Sequence, residues 1–578
     1  MSTIYAQYAW VVPLLPLVAF IFVMTLGRAA EGLAVWTAIV ASVGSLMLSL
    51  CIMQEQLMGA NNEFSGKFTW FKVGSVQVSL GIEVTQLTTL LLCVISLLHV
   101  CGLIYSASYM SRDGRAGLFC GYMSLLGCAM MGLVLAADML TLFACWQLLG
   151  LASVLLAGFW HERNGAKETV MRLYIFAAVG DLALLLAILL LFWYMPEHAL
   201  DFASIQNVFE GQATNMAKWI TALISALLLI AAAAKSGLFP FHLWLQHLGP
   251  VPLPAKAAMF CMALAPAGIV LLLRAMAALQ ASPLIMETAA WLGAASALIG
   301  AAAAAMQHKL ARMAGYVAVS QVGLMLLGVG TYATSGTVYL LIGYSLAGFL
   351  MVLGYGALHP AAGEARRRSP RSLARWVTAI GALSLAGVPP LPGFWAYQQL
   401  LQAALSTHVL LFAAALAALA GTAFYAGRAI MLLSDELRHA EAPGRAQGIV
   451  PAALALLLVL LAAIELIWGK QGGLFQWLQV DVTSYDWSVW LPLLLSSGCG
   501  LYLAVHHRHS ISRETHTNSS IFSWADAVLD GAFRRFGAKL MAGLDKVGHW
   551  LQRLDERMME ALPSLMADVW ERRGRRRK

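Results

Sequence analysis

The feature that most constrains this chain is a series of apolar runs, roughly fifteen of them, each long enough to cross a bilayer as a helix. They fall near 9–27, 32–53, 85–107, 116–137, 139–159, 170–193, 217–236, 255–279, 287–306, 312–331, 335–359, 373–395, 406–433, 449–469 and 486–505. Of the 578 residues, 60% are hydrophobic and only 11% are charged. Soluble domains carry about a quarter charged residues, so lipid must be the solvent for most of this surface. The fold class expected is all-α: a polytopic membrane protein whose first span is retained as an uncleaved segment.

Charge in the loops alternates along the chain. Arg28, Arg112, Arg115, Arg163, Lys167, Arg172, Lys309, Arg312 and the run Arg366–Arg368 fall on one side. Glu55, Glu63, Glu197, Asp201, Glu210, Glu287, Asp481 and Asp486 fall on the other. The positive-inside rule then puts the N-terminus outside and the C-terminus in the cytoplasm. That rule also accounts for the net charge of +8 without nucleic acid as a partner.

Four segments are expected. Residues 1–115 hold N-terminal spans and an external loop, and 116–435 the core. Residues 436–510 hold further spans, and 511–578 an amphipathic cytoplasmic helix and basic tail. In that last segment Phe533, Phe536, Leu540, Leu544, Val547 and Leu551 recur every three or four residues among lysines and arginines. Such a helix is too charged to span and should lie on a surface.

Eight cysteines lie in or beside apolar runs, with no C-x-x-C pair. Small buried hydrophobes are expected rather than metal ligands or disulfides. No G-x-G-x-x-G, iron–sulfur spacing or haem signature occurs, so no cofactor or metal is expected and redox chemistry would belong to partners.

Charges inside spans are costly and mark function. Asp181 sits mid-span in AAVGDLALLL, Lys235 in IAAAAKSGLFPFHLW, Lys256 after PVPLPA, and Glu465 in LLAAIELIWG. After Lys235, Gly237, Pro240, Gly249, Pro250, Pro252 and Pro254 interrupt the helix pattern. A second interruption is GVPPLPGFW at 387–395. Broken helices at membrane depth line polar cavities or lie buried in protein, and a pair of them suggests inverted repeats. An ammonium at Lys235 needs a partner, and Asp181 is the candidate.

At these residues the chain resembles the large antiporter-like subunit of respiratory NADH:quinone oxidoreductase. The same superfamily holds subunits of sodium/proton antiporters, membrane-bound hydrogenases and an inorganic-carbon uptake system. The resemblance covers about 65–435 and rests on Tyr109–Met110, ADMLTLFACWQLLGLASVLLAGFW (137–160), AAVGD (177–181), AKSGLFPFHLWL (234–245), GYVAVSQVGLMLLGVG (315–330), AGVPPLPGFW (386–395) and AFYAGR (423–428). It implies a chain of buried charges in each half, in which a lysine on a broken span changes its proton affinity as its partner moves. Lys235 matches that lysine and Asp181 an aspartate of the neighbouring span. The departures are many. The family glutamate after Trp146 is Gln147, a histidine falls at Phe260, a histidine and a lysine fall at Tyr344 and Gly348, and lysines fall at Ala311 and Tyr397. The long C-terminal helix also lacks the span that closes it in the respiratory subunit.

The ion path expected is therefore Lys235 and Asp181, with Gln147, Lys256, Tyr344 and Tyr397 as further members. The resemblance implies a non-catalytic subunit, in a bacterial inner membrane, that couples redox chemistry in partner membrane subunits to ion movement. The alternatives are a cation/proton antiporter subunit, a subunit of proton-driven inorganic-carbon uptake, or a proton-inactive scaffold of the same fold.

Overall fold

The computed structural model describes residues 4–26, 30–58, 63–73, 76–111, 113–210, 216–246, 248–307, 310–356, 371–436, 445–468 and 487–506. The chain divides into two compact units, Met1–Thr515 and His516–Lys578, and everything described lies in the first. The long amphipathic helix expected after residue 520 lies outside the described residues.

Helices α1 (Val11–Leu26) and α2 (Glu31–Met58) lead into strands β1 (Phe64–Val73) and β2 (Val76–Val84). Then come α3 (Gln86–Tyr109), α4 (Ala116–Leu135), α5 (Met139–Ala157), α6 (Ala166–Tyr194), the short α7 (Phe202–Glu210) and α8 (Lys218–Ser236). The first break holds α9 (Leu243–Gln246) and α10 (Leu253–Ala257), and a π-turn over Ala258–Met262 joins α10 to α11 (Leu264–Arg274). After α12 (Met276–Gln280) follow α13 (Pro283–Met306), α14 (Leu310–Gly330) and α15 (Thr334–Gly356). Helices α16 (Arg371–Leu385) and α17 (Pro392–Thr407) flank the second break, and α18 (Val409–Glu436), α19 (Arg445–Trp468) and α20 (Trp487–His506) complete the described chain.

Among the described residues, 13 helices are long and apolar enough to cross a membrane. The expected runs at 373–395 and 449–469 are not among them. The first is split by the second break into α16 and α17, and the second falls on α19 (Arg445–Trp468), where Ile449–Leu461 is apolar. Burial sorts the bundle. The apolar windows of Leu253–Arg274, Arg312–Gly330 and Thr334–Gly356 are 100% buried, whereas those of Ala6–Thr25, Glu31–Met58 and Trp487–His506 are 28% buried. The broken helix therefore runs through the core, and the terminal helices face outward. Seven of the cysteines are buried or half-buried and only Cys499 is exposed, all without disulfides.

Helices approach closely where both surfaces are small. A Cβ placed on Gly330 would lie 2.3 Å from the backbone nitrogen of Ala290, so α13 and α14 meet backbone to backbone.

One element departs from the all-α expectation. Strands β1 and β2 pair as a two-stranded antiparallel sheet, Phe64 with Val84 and Val73 with Val76. It is fastened to the bundle at its base. Asp138, 4% exposed, caps α5 by accepting from Thr141 N–H and also accepts from Gly81 N–H at 2.8 Å. Burial pushes the Asp138 carboxyl above the usual carboxylate range despite these bonds. Arg274, at the end of α11, donates to Glu83 and to the Ala136 carbonyl.

Candidate functional site

The first break gathers the site. Helix α8 ends at Ser236 and is closed by Gly237, whose φ of +69° is left-handed and free of strain only for glycine. Lys235 thus stands in the last turn, where a cation suits the negative end of the helix dipole. Its Nζ donates to the Asp181 carboxylate at 3.3 Å and to the Trp146 carbonyl at 3.1 Å. It also lies 4.8 Å from the centre of the Trp146 ring, within cation–π reach. Trp146 in turn donates its indole N–H to Asp181 Oδ1 at 2.7 Å.

Three helices therefore converge on one charge pair, and small residues let them. Gly180, beside Asp181, brings α6 onto α8: a Cβ there would lie 3.0 Å from that of Ala234. Gly150 leaves room for the ammonium, since a Cβ there would lie 3.2 Å from Nζ. The lysine side chain is 1% exposed and the aspartate 22%, so one partner is sealed and the other half open. A sealed ammonium needs this counter-charge, because an unpaired buried charge is prohibitively costly.

The second break repeats the first in backbone detail. Gly237 and Gly387 are both left-handed, at φ +69° and +71°, and the peptide bonds Phe239–Pro240 and Pro389–Pro390 are both cis. Leu238 N–H reaches back to the Ala233 carbonyl as Val388 N–H does to that of Leu383. Phe241 N–H bonds the Leu238 carbonyl as Leu391 N–H does that of Val388. Every partner is displaced by the same number of residues, so the position matching Lys235 is Leu385.

A neutral network replaces the charge there. Tyr397 O–H faces the Leu385 carbonyl at 2.8 Å and the Gln321 amide at 3.0 Å, and the other end of that amide meets the Tyr425 hydroxyl at 2.9 Å. Each hydroxyl has one proton to give. Tyr397 O–H lies between two acceptors, the Leu385 carbonyl and Gln321 Oε1, and Gln321 Nε2 donates to the Tyr425 hydroxyl. No member changes charge near neutral pH, and an amide does not relay protons as a hydroxyl or carboxylate does.

Residues 136–422 match the family model described as NADH:quinone oxidoreductase/Mrp antiporter, transmembrane, and residues 70–120 match that of complex I chain 5, N-terminus. The chain belongs to this antiporter-like family. It is 30% identical over 422 residues to the chloroplastic NAD(P)H-quinone oxidoreductase subunit 5 of Zygnema circumcarinatum, covering 68% of this chain and 59% of that one. With NAD(P)H-quinone oxidoreductase chain 5 of Synechocystis sp. it shares 28% over 445 residues, covering 72% and 65%. The chain thus spans less than two thirds of the length of these relatives. In fold it is similar to a chain of the Mrp complex of Dietzia sp., with a TM-score of 0.72 at 21% identity over 94% of this chain and 60% of that one. It is also similar to a chain of an archaeal membrane-bound sulfane sulfur reductase, with a TM-score of 0.69 at 16% identity over 86% and 99%.

The residues that the family resemblance singles out are only partly gathered. Lys235 and Asp181 meet. Gln147 is half-buried one residue past Trp146, and the lysine takes the Trp146 backbone instead. Lys256 is buried elsewhere, its Nζ donating to the Gly249 carbonyl at 3.1 Å. Tyr344 donates to the Phe260 carbonyl at 3.2 Å, and Tyr397 turns to Gln321, so the two tyrosines serve different elements. The side chain of Glu465 lies outside the described residues. Sequence reasoning about this antiporter-like chain missed three site residues, Trp146, Gln321 and Tyr425. A lone amide mid-span at Gln321 is the one signal that points to any of them.

Proposed function

We propose that this chain is a membrane subunit of a proton-translocating complex of the NADH:quinone oxidoreductase type, moving charge through its first half while partner subunits carry out the redox chemistry. The observation that carries the reading is the buried Lys235–Asp181 pair at a helix break. In this reading residues 116–435 form the ion-moving core. Asp181 is half open and Lys235 is sealed, so protonating or displacing the carboxylate removes the ammonium's counter-charge and drives its proton off. Trp146 holds the carboxylate oxygen and the ammonium in one place. The basic loops and tail face the cytoplasm of a bacterial cell, with the N-terminus on the opposite side of the inner membrane.

The neutral second break favours one other reading, a scaffold that keeps the fold without conducting. A single experiment separates the two. Lys235→Ala is expected to abolish proton uptake by proteoliposomes holding the complex purified from its native membrane. Uptake equal to the parent's would sink the Lys235 path and leave the scaffold.

A further inference from the structure

Lys256 is a second buried lysine, 7% exposed, and among the described residues its Nζ has one acceptor, the Gly249 carbonyl. No carboxylate lies within ion-pair distance of it among the described residues. Protonated, its Nζ carries three donors and the carbonyl takes one. The charged and titratable groups around it are Arg163 of the α5–α6 loop, Tyr109 at the end of α3 and Tyr355 of α15, none of them an acid.

Beside Lys256 is a partly enclosed cavity of about 10 Å³, the least volume that holds a single water. Its walls come from both halves of the core. Lys256 and Phe260 come from the broken helix, Leu310 and Ala314 from α14, and Met351 and Tyr355 from α15. A π-turn over Ala258–Met262 follows directly after Lys256 and widens the helix there. Such turns concentrate at functional positions. The far wall is pinned as well, because Tyr344 holds the Phe260 carbonyl. On the other side the Gly249 loop is exposed, and Pro250 approaches Gly165 in the basic α5–α6 loop. The site therefore lies at the basic-loop end of the core, between that surface and the interior.

We infer that Lys256 and this cavity form a water-loaded protonation site joining the basic-loop surface to the interface between the two halves. In one hop an Nζ–H bond breaks and an O–H bond forms on the cavity water, while that water passes a proton of its own to solvent at the loop. The lone pair stays on Nζ, and the reverse hop recharges it. No ion pair is broken in either direction, which separates Lys256 from Lys235. The inference rests on the proton-moving reading given above and adds to it a second residue and its water.

The test uses the complex purified from its native membrane, reconstituted with a pH-sensitive dye inside the vesicles. Lys256→Met, close in shape and without charge, is expected to lower proton uptake at least about tenfold. Adding Phe260→His, which places an imidazole on the same cavity, is expected to restore uptake and move its pH optimum toward the histidine range near 6.5. Should Lys256→Met not assemble, Ala314→Val narrows the cavity while residue 256 stays a lysine, and is expected to lower uptake likewise. Unchanged uptake in Lys256→Met or Ala314→Val overturns the inference. So does a folded Lys256→Met variant that Phe260→His fails to rescue, because the lysine would then only hold the Gly249 loop. Lys235→Ala is run alongside. If it abolishes uptake while Lys256→Met does not, this inference alone fails. If neither lowers uptake, the proton-moving reading fails with it.

Discussion

The two breaks share a backbone and differ in charge. At each, a helix ends on a left-handed glycine, a cis proline follows, and the same two backbone bonds recur. At the first, the residue two before the glycine is Lys235, answered by Asp181 and Trp146. At the second it is Leu385, 2% exposed, whose carbonyl is answered by the Tyr397 hydroxyl. A neutral donor and a cation both suit the negative end of a half-helix, but only the cation demands a counter-charge. Break geometry and charge chemistry are therefore separable, since the second break has the first without the second.

The harshest way to break that comparison is Leu385→Lys, which puts the first half's cation into the second half's backbone. The three side chains there, Tyr397, Gln321 and Tyr425, form a neutral network. An uncompensated buried charge should cost about 3–5 kcal/mol. The variant should melt far below the parent in a thermal-shift measurement in detergent. A melting point equal to the parent's would mean that the second half still holds a counter-charge, and the contrast drawn here would fail.

Tyr397→Phe sharpens the same contrast more gently. It removes the donor to Leu385 and the partner of Gln321 while keeping the ring. Leaving buried groups unpaired should cost about 1–3 kcal/mol. Proton uptake should stay at the parent level once the protein is folded, because nothing charged has moved. A fall in uptake with intact stability would show that the tyrosine carries protons after all.

What could be seen in the sequence follows from what costs free energy. Spans were legible because about twenty apolar residues in a row have few other uses. Both breaks were legible because glycine and proline are the residues a helix cannot absorb. Asp181 and Lys235 were legible because a charge in lipid must be justified. Trp146, Gln321 and Tyr425 carry no such cost and gave no comparable sign, although they orient or neutralise the site. The equivalence of the breaks was hidden as well, since KSGLFP and LAGVPP share only a glycine and a proline, and it took the backbone bonds to align them. The sheet of β1 and β2 was missed for a different reason. Its alternating strands are short and polar beside the apolar runs, so hydropathy treats them as loop, and only the period of two in VQVSLGIEV marks a strand.

The smallest effect concerns a pair outside the bundle. Lys67 on β1 lies 3.4 Å from Asp201, which follows α6. Burial alone would raise the Asp201 carboxyl. Hydrogen bonds from Ser204 and the Lys67 charge more than offset it, so the group sits below the ordinary carboxylate range. A depressed folded-state value stabilises the protein above the unfolded value near 4, and that contribution is lost as pH falls through the folded value. Lys67 is 46% exposed, so Lys67→Ala should cost less than about 1 kcal/mol at neutral pH. Melting curves of parent and variant should differ slightly at pH 7, converge in strong acid, and draw together as salt is added. The Lys235–Asp181 pair, sealed on one side, should show no such salt dependence. A Lys67→Ala deficit that survived both acid and salt would place this outer pair with the inner one, and would mean that the sheet is held as firmly as the first break.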